Sequence, residues 1–243
     1  MTSQSKMKGK KLTVGLVMMA VFVAVLILMF LPLFGKGNNG LNYMDALYNS
    51  ISKASAYYIP QVQGEAERFA GKQVELKLAF PPDPKRKLPP ETMAANAAKL
   101  LGQAGARVER DGHALKVSGG LDRMISTALA DADAMFHNRG QEVAQRYGGA
   151  DPKAMLYSWW QTLAAMQKSL NKQELFAEAS FLDRVNKKAV ETAYNYYGVE
   201  PQNIGDRWGI VLFSLVFYVV YTVWYGYGVM YLFEGAGFQL ESH

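Results

Sequence analysis

Two stretches of the chain are apolar on every side, and almost everything between them is periodic. Thr13 to Phe34 and Trp208 to Phe233 carry no charged residue. Each is long enough to cross a hydrocarbon core of ~30 Å as a helix. A buried core helix or a cleaved leader is the competing reading. Two such runs in one short chain argue against the first. The length of the Thr13 run, and the absence of a small-x-small site in Pro32-Leu33-Phe34-Gly35, argue against the second. The pattern predicts an uncleaved anchor near the N-terminus and a second span near the C-terminus.

Between the runs the periods alternate. GKGNNG (35–40) is a break, and Leu41 to Tyr58 reads as an amphipathic helix with Leu41, Met44, Leu47, Tyr48 and Ile51 on one face. That face suits either the headgroup region or the domain core. Val74, Leu76, Leu78 and Phe80 alternate with Glu75, Lys77 and Ala79, as in a half-buried strand. The connector PPDPKRKLPP (81–90) is stiff and exposed, and Glu91 to Gly105 is a short helix. Asp111-Gly112 marks a hairpin turn. Pairing outward from it sets Arg110 opposite His113, Val108 opposite Leu115 and Ala106 opposite Val117. Arg107 and Lys116 then face each other on the polar side, which calls for water, an acidic neighbour or a partner. Gly120 to Arg146 reads helical. Asp151 caps a helix that begins at Pro152 and carries Leu156, Trp159, Trp160, Leu163, Met166 and Leu170 on one face. A further helix runs from about Lys172 to Tyr197, and Gly198 ends it.

Charge adds orientation. Lys6, Lys8, Lys10 and Lys11 precede the first span without an acidic neighbour, which predicts a cytoplasmic N-terminus. Two spans return the C-terminus to the same side and leave the middle region extracytoplasmic. The segments expected are a basic tail (1–12), a first span (13–34), a juxtamembrane helix and linker (35–72), a βαββα unit (73–147), a helical hairpin (148–207), a second span (208–233) and a short tail (234–243). The fold class is α+β: two transmembrane helices flanking a mainly helical domain with a small three-stranded sheet. The net charge of +5 is largely local to the tail, so no nucleic-acid partner is expected. No cysteine is present, which excludes disulfides, thiolate metal sites and iron–sulfur clusters.

The second span holds more aromatic and small residues than anchoring needs. Tyr218, Tyr221 and Tyr225 share one face, and their hydroxyls sit where lipid offers no partner. Gly226 and Gly228 permit close approach of another backbone, and Ala20 and Ala24 form a small-residue patch on the first span that is one candidate contact. These residues form the expected interface with a membrane partner.

The strand–helix–strand–strand–helix order carried by VELKLAF (74–80), AANAAKLLGQAGARV (94–108) and DGHALKVSG (111–119) with its following helix resembles the ring-building motif. That small domain occurs in secretion-system, flagellar and sporulation basal rings. The resemblance implies a sheet with two helices on one face and assembly into a ring, and it covers about 70 residues. The connector at 81–90 and the long helical region after 147 depart from the pattern.

Linear catalytic motifs are absent from the sequence: no G-x-S-x-G elbow, P-loop, HExxH or dinucleotide fingerprint. Asp133 and His137, at i and i+4 with Asp131 nearby, suit two metal ligands. The same spacing describes a solvated ion pair, which is the reading preferred, and His113 reads as a surface residue. Trp159 and Trp160 with Tyr194, Tyr196 and Tyr197 suit core packing better than a ligand pocket. Lys85, Arg86 and Lys87 read as a solvated loop before an anionic-lipid site. No enzyme, cofactor or metal is expected. The expectation is an accessory or scaffold subunit of an inner-membrane complex, partnered by other membrane subunits or by copies of itself. A self-assembling ring, a regulator of polysaccharide chain length and an extracytoplasmic sensor are the alternatives.

Overall fold

The computed structural model describes residues 3–35, 37–85 and 87–238, and the chain divides into two compact units. One comprises the residues up to Ala54 together with those from Pro201 onward. The other is Ser55–Glu200.

The first unit is an antiparallel pair of long helices with a shorter one beside it. Helix α1 spans Ser3–Phe30, α2 spans Gly40–Ser55 and α10 spans Ile204–Ala236. Over 13–30 and 208–233 both long helices are apolar all round and expose most of their large side chains. Such an all-apolar surface is stable only where the surroundings are apolar too. They are long and apolar enough to cross a membrane, which is consistent with a two-pass membrane protein. The first apolar run outlasts its helix. Phe30 is the last helical residue and Leu31–Phe34 are non-helical, because Pro32 has no N–H with which to continue the ladder. At the other end the lysine tail is itself helical from Ser3. Asn203 starts α10 by accepting the Gly205 N–H at 2.8 Å, and Gly237, at φ 95°, ends it in the left-handed region.

The second unit is mostly helical around a three-stranded antiparallel sheet of order β1-β3-β2, built from β1 (Gln73–Ala79), β2 (Arg107–Asp111) and β3 (Ala114–Gly120). Between the strands and after them come α3 (Ile59–Ala66), α4 (Pro90–Gln103), α5 (Leu121–Phe136), α6 (Gly140–Arg146), α7 (Pro152–Asn171), α8 (Phe176–Val185) and α9 (Glu191–Tyr196). The alternation in β1 is realised, with Val74, Leu76 and Leu78 buried and their neighbours exposed. Asp151 caps α7 as its position implies, accepting the Ala154 N–H at 2.6 Å.

Four features depart from the sequence reading. The hairpin pairs Asp111 with Ala114, Arg110 with Leu115 and Val108 with Val117. Gly112 and His113 are therefore the central turn residues, and only Gly112 has positive φ, at 56°. The register differs from the expected one by two residues, so every side chain keeps its face. Second, the helices against the sheet are α4 and α7; α5 joins the helical layer with α3, α6 and α9. Third, residues 59–69, expected as linker, supply Ile59, Val62, Ala66 and Phe69 to the core. Fourth, the last long helix starts at Phe176 after a break at Glu174 (φ 61°) and carries a π-helical turn at Asn186–Val190. Thr192 Oγ1 donates to the Lys187 carbonyl that this wider turn frees.

Candidate functional site

In the helix pair, the contact follows a seam of alternating three- and four-residue steps. On α1 it runs through Gly15, Met18, Phe22 and Val25. On α10 it runs through Phe217, Tyr221, Trp224 and Gly228 and, one heptad on, Gly235. This 3.5-residue period is the spacing of a coiled-coil seam. Glycine sets the closest points. A Cβ at Gly15 would lie 2.7 Å from the Leu232 backbone nitrogen, and one at Gly235 would lie 2.5 Å from that of Leu12. Gly228 is buried against Met18 and Met19. Where the helices part slightly, rings fill the gap: Phe22 stacks on Tyr221 with centroids 4.3 Å apart and leans on Tyr225 at 5.0 Å.

Two polar groups are satisfied across this seam. Tyr221 donates its hydroxyl to the Phe22 carbonyl at 2.8 Å, and Trp224 donates Nε1 to the Met18 carbonyl at 2.9 Å. At the end of the pair Lys11 Nζ sits 2.9 Å from Glu234 Oε2. Lys6, Lys8 and Lys10 are exposed on the same first turns of α1.

The structure thus divides the residues expected at a membrane interface. Tyr221 and Gly228 lie in the seam within the chain. Tyr218 and Gly226 face outward, Tyr225 lies at the margin of the seam with its ring tilted on Phe22, and a Cβ at Gly226 would meet nothing within 4 Å. Ala20 and Ala24 are exposed on α1, away from the seam. Gly15, Gly235 and Trp224 were not singled out from the sequence. The heptad step from Gly228 to Gly235, and the same step from Gly15 to Phe22, are the signals that point to them.

In the second unit, Asp133 and His137 do meet, with Nδ1 3.3 Å from Oδ1. The carboxylate is otherwise occupied. Tyr57 donates its hydroxyl to Oδ1 at 2.6 Å and Arg139 holds Oδ2 at 2.8 Å. Burial and the Asp133 carboxylate push the Tyr57 hydroxyl up to about 12. A guanidinium on the carboxylate disfavours a cation there, and no cluster of three or more metal-ligating His, Asp or Glu residues occurs among the described residues.

Asp131 does not join them. It points into the core, fully buried, where Tyr147, Trp159 and Arg146 all donate to it; the Trp159 bond is 2.7 Å. Burial pushes its carboxyl up, against the pull of those three donors. Burial and the neighbouring carboxylate raise the Tyr147 hydroxyl. The group stitches α5, α6 and α7 together, and its chemistry is structural because each donor is committed to the same carboxylate.

The remaining aromatics separate likewise. Trp159 is in the core, whereas Trp160, Tyr157 and Tyr194 form a partly exposed cluster with centroids 5.8–6.2 Å apart. Lys87 clasps this cluster, donating Nζ to Tyr194 at 2.7 Å and its backbone N–H to Tyr157 at 3.1 Å. The connector is therefore pinned at Lys87, while Lys85 is exposed; Arg86 and His243 lie outside the described residues. His113 is an exposed residue of the hairpin turn. No protein family, no curated protein and no solved structure matches the chain.

Proposed function

We propose that the chain is a two-pass accessory or scaffold subunit of a membrane protein complex. In this reading α1 and α10 span the inner membrane, the lysine tail holds both termini in the cytoplasm, and Ser55–Glu200 is an extracytoplasmic assembly domain. Tyr218 is the observation that carries it. It stands near the centre of α10, is 68% exposed, and its hydroxyl has no hydrogen-bond partner among the described residues. A hydroxyl left alone in hydrocarbon costs roughly 4–8 kcal/mol against water. From mid-helix a tyrosine is too short to reach either interface at 1.5 Å rise per residue. Tyr221, one turn away, shows how this protein resolves the same problem: it donates to a neighbouring helix. A second helix from another subunit does the same for Tyr218, with Gly226 leaving room beside it. The Asp131 cluster and the occupied Asp133 carboxylate favour a non-enzymatic role.

The test is purification of the tagged chain in a mild detergent, followed by native sizing and identification of whatever accompanies it. Different subunits at fixed stoichiometry are expected, and Tyr218→Phe should weaken their retention. A lone monomer from native membranes sinks the reading. A large homo-oligomer transfers it to the ring alternative.

A further inference from the structure

The outer face of the sheet carries an unbalanced pair of charges. Lys77 of β1 stands directly opposite Lys116 of β3. Like charges in that position destabilise an antiparallel pair. On its other side Lys116 faces Glu109, but that carboxylate lies 3.2 Å from Arg107. Among the described residues no ion pair includes Lys77, Lys116 or Lys172.

The face is walled as well as charged. Ser169 Oγ accepts the Lys77 N–H at 3.0 Å and Gln173 Nε2 donates to the Glu75 carbonyl at 2.8 Å. The end of α7 thereby covers the free edge of β1 and brings Lys172 alongside. The result is a groove of about 710 Å³ holding four cations, Lys77, Arg107, Lys116 and Lys172, against the carboxylates Glu75 and Glu109. That volume is within the range of small-ligand sites, roughly 300–1,000 Å³. Lysines on an open edge strand guard against aggregation. At Lys77 the edge of β1 is already covered, since Ser169 and Gln173 bond the Lys77 N–H and the Glu75 carbonyl, so that explanation does not account for Lys77.

We propose that this groove binds a small polyanion, a molecule bearing two or more carboxylate or phosphate groups. One anionic group bridges Lys77 and Lys116 and relieves their repulsion. Lys172 takes a second from the wall, and Ser118, in the next cross-strand row, offers a hydroxyl.

Citrate and inorganic pyrophosphate are the probes, titrated into the full chain in detergent at constant ionic strength. Saturable binding with a rise in Tm is expected from at least one, and the tighter of the two names the anionic group. Lys77→Gln with Lys116→Gln should weaken that binding by roughly tenfold or more, the equivalent of one charge-assisted hydrogen bond. The same variant, free of ligand, should melt above the wild type, because a repulsion has been removed. Lys85→Gln, outside the groove, should bind as the wild type does. The proposal is overturned if neither probe binds beyond a chloride control, if the double variant binds unchanged, or if the ligand-free double variant is less stable than the wild type.

Discussion

The two units of this chain use opposite rules for the same side chains. In Ser55–Glu200 the large apolar residues are mostly hidden and the polar ones mostly exposed; the buried Asp131 is hydrogen-bonded, whereas the buried Asn186 leaves its Oδ1 without a partner among the described residues. In the helix pair the apolar residues are exposed and the few buried positions are small or polar: Gly15, Gly228, and the Tyr221 hydroxyl on a backbone carbonyl. The difference shows what holds each together. Ser55–Glu200 is driven by removal of apolar surface from water. In the membrane proposed for the helix pair that drive is absent, so close backbone approach and hydrogen bonds carry the association. Substitutions that are mild in one unit are therefore severe in the other.

The largest effect belongs to Ser55–Glu200. Asp131→Ala leaves Arg146, Tyr147 and Trp159 without their shared acceptor, and breaking a buried charged pair costs about 3–5 kcal/mol. Denaturant unfolding followed by tryptophan emission measures it. A loss under 1 kcal/mol would show that the cluster relaxes onto water and that the carboxylate is not a keystone.

Next come the glycines of the seam. Gly15→Leu or Gly235→Leu inserts atoms where a backbone already stands, and overpacking costs roughly 1–3 kcal/mol. Gly226→Leu, on the open face, should leave the pair intact. The absence of cysteine makes this measurable by cross-linking. A Cβ at Gly228 lies 3.4 Å from Met18 Cβ, close to disulfide geometry. Oxidation of Met18→Cys/Gly228→Cys should close the pair, and the added Gly15→Leu should prevent it. Equal cross-linking in both would mean that the seam is not set by glycine.

Smaller still is the seam's hydrogen bond. Tyr221→Phe should cost the pair about 0.6 kcal/mol, the average for such bonds between membrane helices. Tyr218→Phe should cost the isolated pair nothing. Reversal of that order would remove the distinction between the inner and outer faces of α10.

How much of this was legible beforehand divides along the same line. Period alone revealed the two apolar helices, β1 and the cap of α7, because each depends on neighbours in sequence. The hairpin was found but shifted by two residues. Asp-Gly is a common central pair, and only the structure shows Asp111 bonded across to Ala114. Which helix covers the sheet was not legible, because α5 and α7 have similar apolar faces and the choice is made by the whole core. Asp131 and Asp133 look alike at i and i+2, yet they point to opposite sides of α5: one to Trp159, the other to Tyr57 and Arg139. The groove was anticipated as a face that needs a partner, but the expected opposition was Arg107 with Lys116. The observed one, Lys77 with Lys116, depends on long-range strand pairing.

The smallest effect distinguishes the exposed charge pairs of Ser55–Glu200 from its buried one. Hydrogen bonding to Lys72, with Nζ 2.8 Å from Oε1, holds the Glu178 carboxyl below its ordinary range. A carboxylate depressed in the folded state contributes stability above its unfolded value and loses it as pH falls through the folded one. Asp122, depressed by the backbone N–H groups of Gly71 and Arg123, acts in the same direction. Burial gives Asp131 the opposite sign: the folded state holds its proton more tightly, so acidification favours it. Lys72→Met should therefore shallow the loss of Tm below about pH 4.5, where free glutamate titrates, and make the remainder less salt-sensitive. Because Lys72 is partly exposed, solvent and salt screen the pair. If Lys72→Met leaves both the acid limb and its salt dependence unchanged, the pair is ornamental, and only the buried cluster of Asp131 distinguishes the electrostatics of this unit from those of the helix pair.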